Sequence, residues 1–185
     1  MTKRISTRDI SQMAMFVALM VVCSWINIPL PGVPITMQVF GVFLALCVLG
    51  GQRGTVCVAI YILLGAVGAP VFSGFRGGIG VLLGTTGGYI VGFLPMAMLF
   101  WLLTGVIRTK HPVVRFGIMA VCLAVCYAFG TAWFVVAYMK STGAIGVGTA
   151  LMKCVVPFIL PDTVKILLAM RVAALIKKLR LIPER

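Results

Sequence analysis

Acidic side chains are almost missing from this chain. Asp9, Asp162 and Glu184 are the only three in 185 residues, and all charged residues together make up 10% against 62% hydrophobic. A soluble domain hydrates its surface with far more charge than this, so the soluble classes are excluded and an integral membrane protein is left. Histidine is nearly absent as well. His111, the single one, lies in the polar stretch Arg108-Thr109-Lys110-His111-Pro112 with no nucleophile or ligand cluster around it. That argues against a Ser/His or metal-centred membrane enzyme. Six cysteines occur, Cys23, Cys47, Cys57, Cys122, Cys126 and Cys154, none in CxxC spacing and all in apolar stretches. They read as reduced thiols packed as small hydrophobes. There is no GxxxxGK[ST] loop, hence no means of hydrolysing ATP. Neither an enzyme, a cofactor nor a metal is expected.

Basic residues are the charge that is present, giving a formal net charge of +13. On a polar domain this would suggest nucleic acid, but here the cations cluster between long apolar runs, so their role is topological and the partner is the lipid bilayer. Cutting at charges, prolines and glycines leaves six apolar segments: 10–28, 36–51, 54–70, 79–105, 114–139 and 147–176. Most reach the roughly 20 residues that cross a hydrocarbon core of about 30 Å; the second and third are short. The expected fold is an all-α, six-transmembrane-helix bundle forming one domain over residues 1–185. With the N-terminus cytoplasmic, Lys3, Arg4, Arg8, Arg53, Arg108, Lys110, Arg115, Arg171, Lys177, Lys178, Arg180 and Arg185 all fall inside. Arg76, Lys140 and Lys153 fall outside and Lys165 within a span, which satisfies the positive-inside rule with both termini cytoplasmic. The start Met1-Thr2-Lys3-Arg4 looks like the charged region of a signal peptide. The following apolar stretch runs on into Trp25, Asn27 and prolines without a small-x-small cleavage site, so a retained first helix is expected.

In so apolar a chain an acidic residue needs a reason. Asp9 and Glu184 lie near the termini, where water is expected to solvate them. Asp162 belongs to Leu160-Pro161-Asp162-Thr163-Val164-Lys165, with Lys165 one helical turn on. Pro157 and Pro161 interrupt this last segment, and a helix restarting at Pro161 would put Asp162 in its first turn, near the positive end of the dipole. A lone charge at the bilayer centre costs about 2.5–3.5 kcal/mol, so the pair is either a structural ion pair or part of a polar site.

Glycine is concentrated between residues 65 and 93. Gly84, Gly88 and Gly92, four residues apart, suit close helix packing, whereas Phe72 to Gly78 is too polar and irregular for a packing face. On the first helix, Ala14 and Ala18 at i and i+4 form a shallow groove that admits another helix.

Four blocks in this order, Val33-Pro34-Ile35-Thr36-Met37-Gln38, Pro70-Val71-Phe72-Ser73-Gly74-Phe75-Arg76-Gly77-Gly78, Gly84-Thr85-Thr86-Gly87-Gly88-Tyr89 and Pro161-Asp162-Thr163-Val164-Lys165, resemble the BioY family. Its members are biotin-specific S components of energy-coupling-factor (ECF) vitamin transporters. The resemblance covers nearly the whole chain. Two positions depart from the family pattern, Thr85 where proline is usual and Pro161 where glycine is usual, and neither removes a polar ligand. The resemblance implies capture of biotin from the external side and its uptake across the inner membrane of a bacterium. It also implies partners: a transmembrane coupling subunit, which Ala14 and Ala18 would contact, and two cytoplasmic ATPase subunits. Asp162 then offers acceptors to the ureido N–H groups of biotin and Lys165 a donor to the ureido carbonyl. Tyr89, Phe72, Phe75 and Trp133 are candidate apolar walls, Gln38 and Thr36 candidate hydrogen-bonding groups, Arg76 a candidate for the valerate carboxylate, and Gly88, beside Tyr89, a further candidate substrate contact. A stand-alone secondary transporter driven by proton coupling through Asp162 and Lys165 is the alternative. Self-association into a homo-oligomer is left open.

Overall fold

A computed structural model of the chain describes residues 6–28, 33–109, 111–141 and 146–179. Among these residues the chain forms eight helices and one short antiparallel hairpin: α1 (Thr7–Trp25), β1 (Asn27–Ile28), β2 (Ile35–Thr36), α2 (Gln38–Leu49), α3 (Gly51–Ala66), α4 (Ile79–Leu83), α5 (Gly87–Val106), α6 (Pro112–Ser141), α7 (Val147–Cys154) and α8 (Val156–Lys178). Lys3, Arg4, Lys110, Arg180, Glu184 and Arg185, together with positions 142–145, lie outside the described residues.

The chain is a helical membrane protein. Thr7–Trp25, Gly87–Val106 and Pro112–Met139 are long and apolar enough to cross a bilayer, while α2 and α3 are apolar but shorter. α8 has the length, at 23 residues, but carries Asp162, Lys165, Arg171, Lys177 and Lys178. The expectation of six helices therefore meets eight among the described residues, six of which have 12 or more residues. The stretches 36–51 and 54–70 are separate helices, joined at Gly50, whose φ of 85° lies in the left-handed region. The stretch 79–105 divides at Gly84-Thr85-Thr86, and 147–176 divides at Val155.

That second break corrects the expected restart at Pro161. Val155 leaves helical geometry (φ −122°, ψ −54°), and Pro157 occupies the first turn of α8, where its missing N–H has no partner to lose. Pro161 sits inside α8, and Asp162 stands nearly two turns in. The helix dipole is consequently not what holds its carboxylate.

Asp9 is a second correction. It is buried, accepts the Ser6 N–H at 3.1 Å and pairs with Arg53 at 3.1 Å. Because α1, α2 and α3 run alternately up and down, the start of α3 returns beside the start of α1 and delivers Arg53 there. At the opposite end, Ser24 Oγ donates to the Val71 carbonyl at 2.6 Å and the Trp25 indole N–H to the Pro70 carbonyl at 3.0 Å. Phe75 lies against the Trp25 ring with centroids 4.8 Å apart. The 67–78 connection is thereby tied to the end of α1.

α2 is the axis of the molecule, touching α1, α3, α5 and α8. Its sequence is apolar all round, as a helix surrounded by others requires, and Val42, Phe43, Leu44, Ala45 and Leu46 are all buried. α6 packs along α5, where glycine permits the approach: a methyl at Gly88 would overlap the Trp133 side chain, and one at Gly92 would meet Cys126 Sγ at 3.2 Å. Gly84 instead belongs to the turn before α5. Gly88→Ala is expected to destabilise the fold by about 1–3 kcal/mol through overpacking. Gly117→Ala, where a methyl meets nothing within 4 Å, is expected to leave thermal melting in detergent unchanged or slightly raised.

Candidate functional site

Helix ends converge at the pole that also holds the 67–78 connection, and they enclose a cavity. Its space is about 650 Å³ including the part open to solvent. Thr36 reaches it from β2, Gln38 from the start of α2, Thr86 from just before α5 and Tyr89 from its first turn, Tyr127 from the middle of α6, and Asp162 and Lys165 from α8. Ile90, Phe93, Leu123 and Phe158 supply apolar walls, and Cys126 and Cys154 also face it.

Asp162 is 2% exposed, and both its oxygens are engaged. Oδ1 accepts from Lys165 Nζ at 2.6 Å and Oδ2 from the Tyr127 hydroxyl at 2.6 Å. The i, i+3 spacing on α8 stacks the two charged side chains on one face. Their attraction, strengthened by low local polarity, offsets a desolvation penalty that neither charge could bear alone. Each carboxylate oxygen keeps a second lone pair, and the ammonium keeps two further N–H groups. Across the cavity, the Tyr89 hydroxyl is 3.0 Å from Thr131 Oγ1. Gln38 Oε1 accepts from Thr36 Oγ1 at 3.0 Å, and Gln38 Nε2 donates to the Tyr61 hydroxyl at 2.6 Å.

Five of the sequence candidates, Thr36, Gln38, Tyr89, Asp162 and Lys165, thus meet in one cavity. The other five lie elsewhere. Phe72 is buried beneath its own loop, its ring against Gly65 and edge-on to Tyr61 at 5.6 Å. Phe75 is exposed on Trp25, and exposed Arg76 contributes its carbonyl to the Phe72 N–H at 2.9 Å. Trp133 donates its indole N–H to the Gly84 carbonyl at 3.1 Å and covers Gly88. Their visible roles are to close the loop and to seat α6 on α5.

Tyr127 is the polar cavity side chain that sequence reasoning missed. A signal was present: a phenol in the middle of the apolar stretch 114–139 must find a hydrogen-bond partner at membrane depth. Which partner could not be read without knowing that α6 crosses α8 there. Cys126, Cys154 and Phe158 left no signal, being apolar or nearly so in an apolar chain.

The arrangement binds rather than reacts. An anionic acceptor, a cationic donor, an amide and hydroxyls surround an apolar space suited to a small molecule with polar groups at separate points. His111 is exposed in its loop, away from the cavity. Among the described residues no three His, Cys, Asp or Glu side chains converge as a metal site would need.

Removing only Lys165 strands a buried carboxylate. Lys165→Met is expected to destabilise by about 3–5 kcal/mol, and the double variant Asp162→Leu/Lys165→Met by clearly less, because no uncompensated charge remains. Melting temperatures of the two variants in detergent check the order.

Fold and site together define a helical membrane protein with a partly polar cavity at one end of its bundle. The chain belongs to the BioY family, whose model matches residues 1–181. It is 41% identical over 174 residues to the biotin transporter BioY of Thermotoga maritima, covering 93% of this chain and 97% of that protein. It is 40% identical to the probable biotin transporter BioY of Pyrococcus horikoshii, covering 90% and 94%, and 35% identical to the biotin transporter BioY of Rhodobacter capsulatus, covering 94% and 95%. Its fold matches the crystal structure of the S-component for biotin from an ECF-type ABC transporter, with a TM-score of 0.82 over 99% of this chain and 96% of that one, at 24% identity.

Proposed function

We propose that this protein is the biotin-binding membrane subunit, or S component, of an ECF-type transporter. It captures biotin from the external side and mediates its uptake into the cytoplasm. A transmembrane coupling subunit and two cytoplasmic ATPase subunits supply the energy, since the chain has no nucleotide-binding loop of its own. The observation that carries the reading is the buried Asp162–Lys165–Tyr127 group facing a small-molecule cavity, in a chain related over nearly its whole length to biotin transporters.

The chemistry of biotin fits these groups. Asp162 accepts from the ureido N–H groups, Lys165 donates to the ureido carbonyl, and Tyr89, Phe93 and Phe158 receive the thioether ring. Gln38 and Thr36 make the remaining polar contacts. In this reading α1, α2, α3, α5, α6 and α8 span the inner membrane of a bacterium, α4 and α7 do not, and both termini are cytoplasmic. Arg53 beside the start of α1 and the cavity at the opposite pole are consistent with that orientation. Ala14 and Ala18 lie exposed on one face of α1 and form the contact for the coupling subunit.

Asp162→Asn is expected to weaken biotin at least tenfold, about 1.4 kcal/mol, as a charge-assisted bond becomes a neutral one. Equilibrium binding of labelled biotin to purified protein measures it; unchanged affinity in a folded variant would reduce Asp162 to a structural ion pair. Ala14→Trp is expected to abolish ATPase-dependent uptake in cells co-expressing the coupling module while biotin affinity stays within about twofold, because a bulky ring fills the groove but is remote from the cavity.

A further inference from the structure

A chain of hydrogen bonds leads out of the cavity through a residue that does not line it. Tyr61, on α3, is fully buried. Its hydroxyl lies 3.0 Å from the Val71 carbonyl, an oxygen that can only accept, so the single phenolic proton is spent there. Toward Gln38, 2.6 Å away, the same hydroxyl can then only accept. The group it faces must be the Gln38 amide NH2. That places Gln38 Oε1 toward Thr36 Oγ1, which donates to it at 3.0 Å. Ser24 Oγ lies 2.6 Å from the Val71 carbonyl on the other side and 2.7 Å from the Val21 carbonyl, and the two share its single proton. A backbone carbonyl in the outer connection thus dictates, through one phenol, which way round the carboxamide stands in the cavity.

We propose that Tyr61 is a positioning residue for ligand recognition: it fixes the donor–acceptor order of the Gln38 amide and acts on the ligand only through Gln38. Without it the amide can turn over and present the reverse pattern. This rests on reading the cavity as a biotin site.

The test is a double-mutant cycle on biotin affinity. Tyr61→Phe keeps the ring that packs on Phe72 and removes the hydroxyl. It is expected to weaken biotin about three- to tenfold when Gln38 is present and less than twofold in the Gln38→Ala background. The same loss in both backgrounds, or no loss in folded Tyr61→Phe, overturns the proposal. A second measurement leaves Tyr61 intact: in protein with isotope-labelled tyrosine, Gln38→Ala is expected to shift a tyrosine C–O stretching band, since one phenol loses an incoming hydrogen bond. An unchanged band overturns it too. If the wild-type protein binds no biotin, the functional reading fails instead, and the infrared result still decides the Tyr61–Gln38 link.

Discussion

Asp162 and Lys165 form a bond that the surrounding structure must satisfy before it does anything else. A carboxylate and an ammonium taken from water each lose several kcal/mol of hydration, and their contact restores it only if the remaining polar positions also find partners. The consequences spread outward from α8. Tyr127 must reach the second carboxylate oxygen, which brings the middle of α6 to α8. α6 must then pack along α5, which the missing side chains at Gly88 and Gly92 allow. The polar side of the pair is left facing a cavity rather than lipid.

The same rule operates at the cavity pole in neutral form. Ser24, Tyr61, Gln38 and Thr36 each carry a polar group into a region with little water, and they satisfy one another and the Val71 carbonyl. The 67–78 connection looks irregular as a string of glycines, but in space it is a strap held by Ser24 and Trp25 at the end of α1. Phe72, Phe75 and Arg76 belong to that strap. Their aromatic and basic character suggested ligand contact; in the structure the two rings pack within the strap and against Trp25, and Arg76 contributes its backbone carbonyl.

Much of the site was legible because polar residues in an apolar chain are rare enough to stand out. Asp162 and Lys165 were conspicuous for this reason, Thr36, Gln38 and Tyr89 stood in blocks that resemble the BioY family, and Tyr127 could have been read from its polarity. Illegible were groups whose meaning depends on who comes near. Asp9 near a terminus suggested solvation, and only the return of α3 brings Arg53 to it. Two prolines four residues apart offered two places to restart the last helix. Pro157 takes the first turn, and Pro161 is carried within α8, where packing on α2 holds the helix together.

Composition alone determined that this is a membrane protein built of helices, because a chain with so few charges cannot hydrate a surface and backbone groups in lipid must bond within their own segment. It also determined that the buried charges would be paired, since isolation costs too much. Tertiary structure alone decided which hydroxyl completes the pair, which aromatic rings line the cavity and which serve the loop, and which way the Gln38 amide faces. These are contacts between residues 35 or 23 positions apart. No local pattern specifies them, because they follow from how the helices cross.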